Sequence, residues 1–191
     1  MENVLGMNHE TMQAPSKQVE DAIVFLLDPD FVLLRPITHD FSDALNHIWA
    51  EDNPPTRVVR HGYPIAQQDG YLTNNWMNLN MEHITNLTAD QAVPRPPAVD
   101  GPLHYNSGPP YLATVRDMYQ IAVRWTEYAP RVVEIHPKLF AEMKGLIYAT
   151  LQLKLPFTLI KSITVSWTKN GYVTVTARIS FLLLASWQRL T

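Results

Sequence analysis

One run of residues constrains this chain more than any other: Ala22-Ile23-Val24-Phe25-Leu26-Leu27-Asp28-Pro29-Asp30-Phe31-Val32-Leu33-Leu34-Arg35-Pro36. The uncharged residues before Asp28 are rich in β-branched and aromatic types, which predicts a buried strand of a mostly parallel sheet. Such a strand delivers whatever follows it to its carboxyl end, where open α/β sheets bind their ligands. Residues i and i+2 of an extended chain point to one side, so Asp28 and Asp30 can face one cation while Pro29 fixes the φ between them. Two hard oxygen ligands suit Mn²⁺ or Mg²⁺ carrying a substrate diphosphate. An acidic pair after a strand also begins ordinary turns, and that alternative stands beside the metal reading.

The rest of the composition sets bounds on this reading. A chain of 191 residues, 46% of them apolar, has room for one domain with a sizeable core. Its 15 prolines against 7 glycines predict long, stiff connections. A net charge of −3 with scattered lysines and arginines forms no basic stripe, which argues against nucleic acid as the main partner. The absence of cysteine excludes both a disulfide framework and a thiolate metal site.

Taken in order, residues 1–20 read as a polar lead-in, disordered or weakly helical around Ser16 to Ala22, with no basic or apolar segment of a signal peptide. Phe41, Leu45, Ile48 and Trp49 recur at helical spacing after Asp40. His39 and His47 flank or sit on that segment and read as structural or solvated rather than as ligands. Arg57 to Pro64 reads as a short strand entering a turn. Asn74-Asn75-Trp76-Met77-Asn78-Leu79-Asn80 offers amides and an indole that can hold a sugar, or equally a polar loop around one anchored aromatic. Asn86-Leu87-Thr88 is an N-glycosylation sequon.

Prolines and glycines from Val93 to Pro110 predict a loop without helix or strand. The segment from Thr114 to Tyr128 reads as a helix with Val115, Met118, Tyr119, Ala122 and Trp125 on one face. Its start can present N–H groups to a substrate oxygen, or Thr114 can simply cap it. Pro137 to Leu151 is the clearest helix of the sequence, with Pro137 in its first turn. Glu142 interrupts its apolar run, and periodicity puts that carboxylate on the wet face.

Together these residues carry a resemblance. Phe25-Leu26-Leu27-Asp28-Pro29-Asp30 with Arg35-Pro36, then Asn106-Ser107-Gly108-Pro109-Pro110-Tyr111 before a helix containing Trp125, then Glu142-Met143-Lys144-Gly145 and Leu155-Pro156-Phe157, resemble the plant and algal peptidyl serine O-galactosyltransferases and hydroxyproline O-arabinosyltransferases. The resemblance covers roughly Ala22 to Ser166. It implies an α/β fold of the GT-A (Rossmann-like) glycosyltransferase type, incomplete at both ends: a partial glycosyltransferase domain over 21–166 and an atypical apolar tail over 167–191. It further implies a UDP-sugar donor, Mn²⁺ or Mg²⁺ at Asp28 and Asp30, and a serine- or hydroxyproline-rich peptide acceptor bordered by Asn106, Ser107, Gly108 and Tyr111. Glu142 would be the catalytic carboxylate, and Lys144 stands where the family's Glu-Met-Tyr motif has its tyrosine. The family works in the Golgi or endoplasmic reticulum, attached to the membrane through a segment that this sequence does not contain.

Three functions follow. The chain is the central segment of a UDP-sugar-dependent glycosyltransferase acting on cell-wall glycoproteins; or it is a catalytically inactive truncated isoform or interaction module; or, from residue chemistry alone, it is a metal-dependent phosphoester hydrolase using Asp28 and Asp30.

Overall fold

The computed structural model describes residues 14–28, 38–42, 58–69, 72 and 74–160. Asp30, the body of the helix expected after Asp40, and the hairpin and apolar tail expected after Ser166 lie outside them.

The described residues form a mixed α/β structure around a four-stranded sheet ordered β1-β3-β2-β4. The strands are β1 (Ile23–Leu26), β2 (Ile65–Gln68), β3 (Ser107–Thr114) and β4 (Thr158–Ile160). β3 pairs antiparallel with both β1 and β2, and β4 pairs parallel with β2. β1, β2 and β4 therefore run in one direction, and β3 alone runs against them. This corrects the expectation of a buried strand in a mostly parallel sheet: among the described residues β1 pairs with β3 only, and all four of its residues are half-buried.

Alternation along the strands sorts two apolar faces, as the period of two in an extended chain requires. Leu26, Ala66, Tyr111 and Leu159 pack with Ile121, Leu146 and Phe157. Ile23, Phe25, Ile65, Leu112 and Ile160 turn the other way, onto Phe41 and Val59. The first face is covered by α3 (Val115–Ile135) and α4 (Ala141–Gln152). A further apolar cluster lies where these two helices meet α1 (Met81–Thr85), with Trp76, Ile84, Tyr128, Val132, Ile147 and Tyr148 in its centre.

Three local expectations are corrected. The stretch from Val93 to Pro110 holds α2 (Asp100–His104) and the first half of β3, a central strand. Proline has no N–H for a ladder, but the β2/β3 register jumps from Ala66↔Tyr111 to Gln67↔Gly108, so Pro109 and Pro110 pass through an irregularity where no donor is needed. Of the short strand and turn expected over Arg57 to Pro64, Arg57 lies outside the described residues, the residues from Val58 form isolated bridges and a turn in which Gly62 has φ +80, and the strand itself begins at Ile65. α4 starts at Ala141 rather than at Pro137, because Phe140 takes a left-handed conformation that interrupts the helix there.

The helix expected from Thr114 is present and longer than foreseen. Thr114 caps it by accepting from Asp117 N–H, but its buried face is centred on Ile121, Tyr128 and Val132, and the expected Val115, Met118, Tyr119, Ala122 and Trp125 are all half-buried. α3 and α4 meet closely at Gly145: a Cβ there would stand 2.7 Å from Ala129 Cα.

Candidate functional site

The direction of the strands sets where chemistry can collect. The carboxyl ends of β1, β2 and β4 share one edge of the sheet with the amino end of β3. Asp28 follows β1 by two residues, Asp69 follows β2 directly, and Ser107 and Gly108 open β3 between them. Asp69 is seated on this edge by its backbone, whose N–H donates to Asn106 O at 2.9 Å. Its side chain lies against Gly108, where a Cβ would come within 3.1 Å of both Asp69 Cβ and Oδ2. The absence of a side chain at Gly108 is what lets this carboxylate lie over the strand.

Tyr111 is the centre of the arrangement. It pairs with Leu26 of β1 and Ala66 of β2, is buried, and packs its ring against Phe157 and Trp125 at centroid distances of 5.8 and 6.5 Å. Its hydroxyl donates to Ser107 O at 3.4 Å. Burial holds the phenol well above its ordinary ionisation range, and the negative charges of Asp69, Asp28 and Glu142 push it further in the same direction. Three acids from three separate elements thus act on one buried phenol.

Glu142 reaches this region from the first turn of α4. It is half-buried, the one residue from Ala141 to Leu151 that is not buried, which agrees with the outward position that periodicity predicts. Trp125 Nε1 donates to Glu142 O at 2.7 Å, so α3 holds the backbone that carries the carboxylate. Lys144, two residues on, turns away: it is buried with Nζ 2.5 Å from His136 Nε2, at the end of α3. Burial first, and then the neighbouring cations, lower the ionisation of both groups.

The expected acceptor residues are reunited here in an unexpected form. Asn106, Ser107, Gly108 and Tyr111 are all buried and belong to or adjoin a central strand rather than a loop. The Asn106 amide serves the fold: its Oδ1 accepts from Trp76 Nε1 at 2.9 Å and its Nδ2 donates to Leu72 O at 3.0 Å. Trp76, read from sequence as a platform for sugar, is buried with its edge toward Tyr148. Its indole anchors the core.

Asp69 is the member that sequence reading missed. A lone acid after a short apolar run gives no spacing signal, and only pairing of β2 beside β3 brings it to Tyr111. The donor chemistry of this edge suits a hard dication, since Asp28 and Asp69 offer carboxylate oxygens in a region of negative charge. Among the described residues no group of three or more His, Cys, Asp or Glu side chains is close enough to hold a metal ion. Mg²⁺-like ions in phosphate chemistry are commonly held through one or two carboxylates, with phosphate oxygens completing the shell.

No helix among the described residues is long and apolar enough to cross a membrane. Comparison with known proteins returns no match, whether to a family model, a curated protein or a solved structure.

Proposed function

We propose that this chain belongs to a UDP-sugar-dependent O-glycosyltransferase that transfers galactose or arabinose to serine or hydroxyproline of a peptide. One observation supports the reading above the others: Asp28 and Asp69 follow the carboxyl ends of β1 and β2, on either side of Ser107 and Gly108 at the start of β3. Ligands of open α/β sheets bind outside strand carboxyl ends, which supports taking this acidic edge as the ligand site. It is suited to a donor whose diphosphate arrives with a dication. The motif order from Asp28 to Phe157 supplies the sugar and peptide part of the proposal.

In this reading Asp28, with Asp30, would hold Mn²⁺ or Mg²⁺, which when bound would offset the negative charge of the leaving diphosphate. Glu142 works on the acceptor side. Its carboxylate orients the acceptor hydroxyl and takes its proton as the oxygen bonds to the anomeric carbon and the bond to the diphosphate breaks. Trp125 keeps that carboxylate in place through the Glu142 carbonyl. Tyr111 stays protonated throughout and closes the floor beneath the acids. The same reading implies residence in the Golgi or endoplasmic reticulum.

The test is calorimetric titration with UDP in the presence of Mn²⁺, followed by incubation with UDP-galactose or UDP-arabinose and a serine- or hydroxyproline-rich peptide. Saturable Mn²⁺-dependent UDP binding with sugar appearing on the peptide is expected. Binding of neither UDP nor Mn²⁺ would overturn the proposal in favour of an interaction module. Hydrolysis of a simple phosphate ester without transfer would favour the hydrolase.

A further inference from the structure

We propose that Asn86 carries an N-linked glycan, a modification site separate from the acidic edge; the inference rests on the secretory residence proposed above. Asn86-Leu87-Thr88 is the sole place in the sequence where asparagine is followed at the second position by serine or threonine with no proline between. A glycan on such a sequon is bulky and polar, so it is accommodated where the sequon lies in a surface loop.

The fold leaves them open. α1 ends at Thr85, and residues 86–88 carry no helix or strand before the turn that follows. Asn86 and Thr88 are both exposed, as are Glu82, His83, Ala89, Asp90 and Gln91 around them, so a bulky polar substituent meets solvent rather than packed chain. Asn86 has φ 56 and ψ 29, the left-handed conformation that turns the chain away from the helix axis. The turn is held by backbone and neighbouring groups: Asn86 N–H donates to Glu82 O, Leu87 N–H to Thr85 Oγ1, and Thr88 N–H to Gln91 Oε1. Substitution on the Asn86 amide nitrogen therefore leaves each of these bonds intact. The Thr88 hydroxyl donates to Asp90 Oδ1 at 2.5 Å, a solvent-exposed contact that can be exchanged for one to an enzyme.

The bluntest alternative is that Asn86 is present only as a helix-ending residue, since asparagine tolerates left-handed backbone better than most. That role asks nothing of position 88, where an exposed threonine completes the acceptor pattern.

The modification balances as a group transfer. The Asn86 amide nitrogen attacks the anomeric carbon of an oligosaccharide carried on a lipid diphosphate. A C–N bond forms, the C–O bond to the diphosphate breaks, the lipid diphosphate leaves with that electron pair, and the amide gives up one proton to the transferase.

To test this, the chain is expressed in a eukaryotic cell behind a cleavable secretory signal and with a second sequon appended at its carboxyl end to report entry into the lumen. Intact-mass analysis is expected to show two glycans, both removed by a peptide-N-glycosidase. One is expected to vanish in Asn86→Gln and in Thr88→Ala and to persist in Thr88→Ser. A chain glycosylated at the appended sequon and bare at Asn86 overturns the proposal. Thr88→Ala leaves the left-handed Asn86 in place, so loss of the glycan there cannot be ascribed to a damaged turn. Because the signal supplies the route, failure of the glycosyltransferase reading is seen separately, in the UDP and Mn²⁺ titration of unglycosylated protein.

Discussion

Tyr111 carries a prediction that needs no assumption about substrate. Its phenol, and those of Tyr105, Tyr128 and Tyr148, are raised above the ordinary value chiefly by burial. In the unfolded chain a tyrosine releases its proton near pH 10, so above that pH the native state binds more protons than the unfolded one. Stability from these groups is fully present below about pH 10 and is lost as pH rises through the folded values. Urea unfolding followed from pH 8 to 11 is expected to show this decline, with a shallower slope in Tyr111→Phe. That variant gives up a long hydrogen bond to Ser107, an expected cost at neutral pH of about 1 kcal/mol or less. An unchanged alkaline slope would show that Tyr111 is not buried among acids. Glu142→Gln is expected to lower turnover about a hundredfold while donor affinity changes little, the signature of a contact made in the transition state. Retained turnover would reduce Glu142 to a structural residue of the first turn of α4. At this scale the position of Asp28 just past a strand was legible from the apolar run it ends, whereas the role proposed for Glu142 rests on its motif alone. Helical periodicity describes the sides of a helix, and Glu142 lies in the first turn of one.

Glycines mark two places of close approach that differ in what a side chain would meet. At Gly145 the obstacle is Ala129 backbone, 2.7 Å from a Cβ at Cα and 2.9 Å at N, so α3 and α4 must separate to admit a methyl group. Gly145→Ala would gain helix propensity yet is expected to destabilise by about 1–3 kcal/mol through overpacking, read as a lower urea midpoint at unchanged slope. A neutral or stabilising result would mean that the helices do not meet there. At Gly108 the obstacle is the Asp69 side chain, which can move. Gly108→Ala is therefore expected to leave the fold in place and to weaken Mn²⁺-dependent UDP binding by roughly tenfold, the scale of a lost supporting contact at a metal site. Equal binding in that variant would detach Asp69 from the site. The elements themselves were unevenly readable. β1, α3 and most of α4 follow from periodicity and capping, but β3 was taken for a loop because its prolines forbid ladder donors. The register jump opposite Gln67 removes the need for those donors, and no local pattern announces such a jump. The first turn expected for α4 fails on Phe140, whose left-handed φ of 65 is not a preference that a phenylalanine displays in sequence.

For the molecule as a whole, a ligand that binds only the folded chain must raise its stability. UDP with Mn²⁺ at a hundred times its dissociation constant would add about 2.7 kcal/mol, an upward shift in Tm that chelation of the metal is expected to reverse. The mixed α/β class was legible from the alternation of strand-like and helical stretches. The reversal of β3 was not, since strand direction is decided by tertiary pairing between segments far apart in sequence. That reversal has a consequence in time as well as in space. β1 and β2 share no ladder within the described sheet, and β1 is joined to it by β3 alone, so Ile23–Leu26 finds its ladder only when Tyr111–Thr114 exists. On a ribosome adding about 5–20 residues per second, the first strand is made seconds before its partner and must wait unpaired, an exposed apolar edge in a nascent chain. Nascent chains halted before Ser107 is synthesised are expected to be digested by protease within β1, and those released after β4 to resist it there. The piece that inserts against the grain of the sheet is thus also the one that ends the chain's most vulnerable interval.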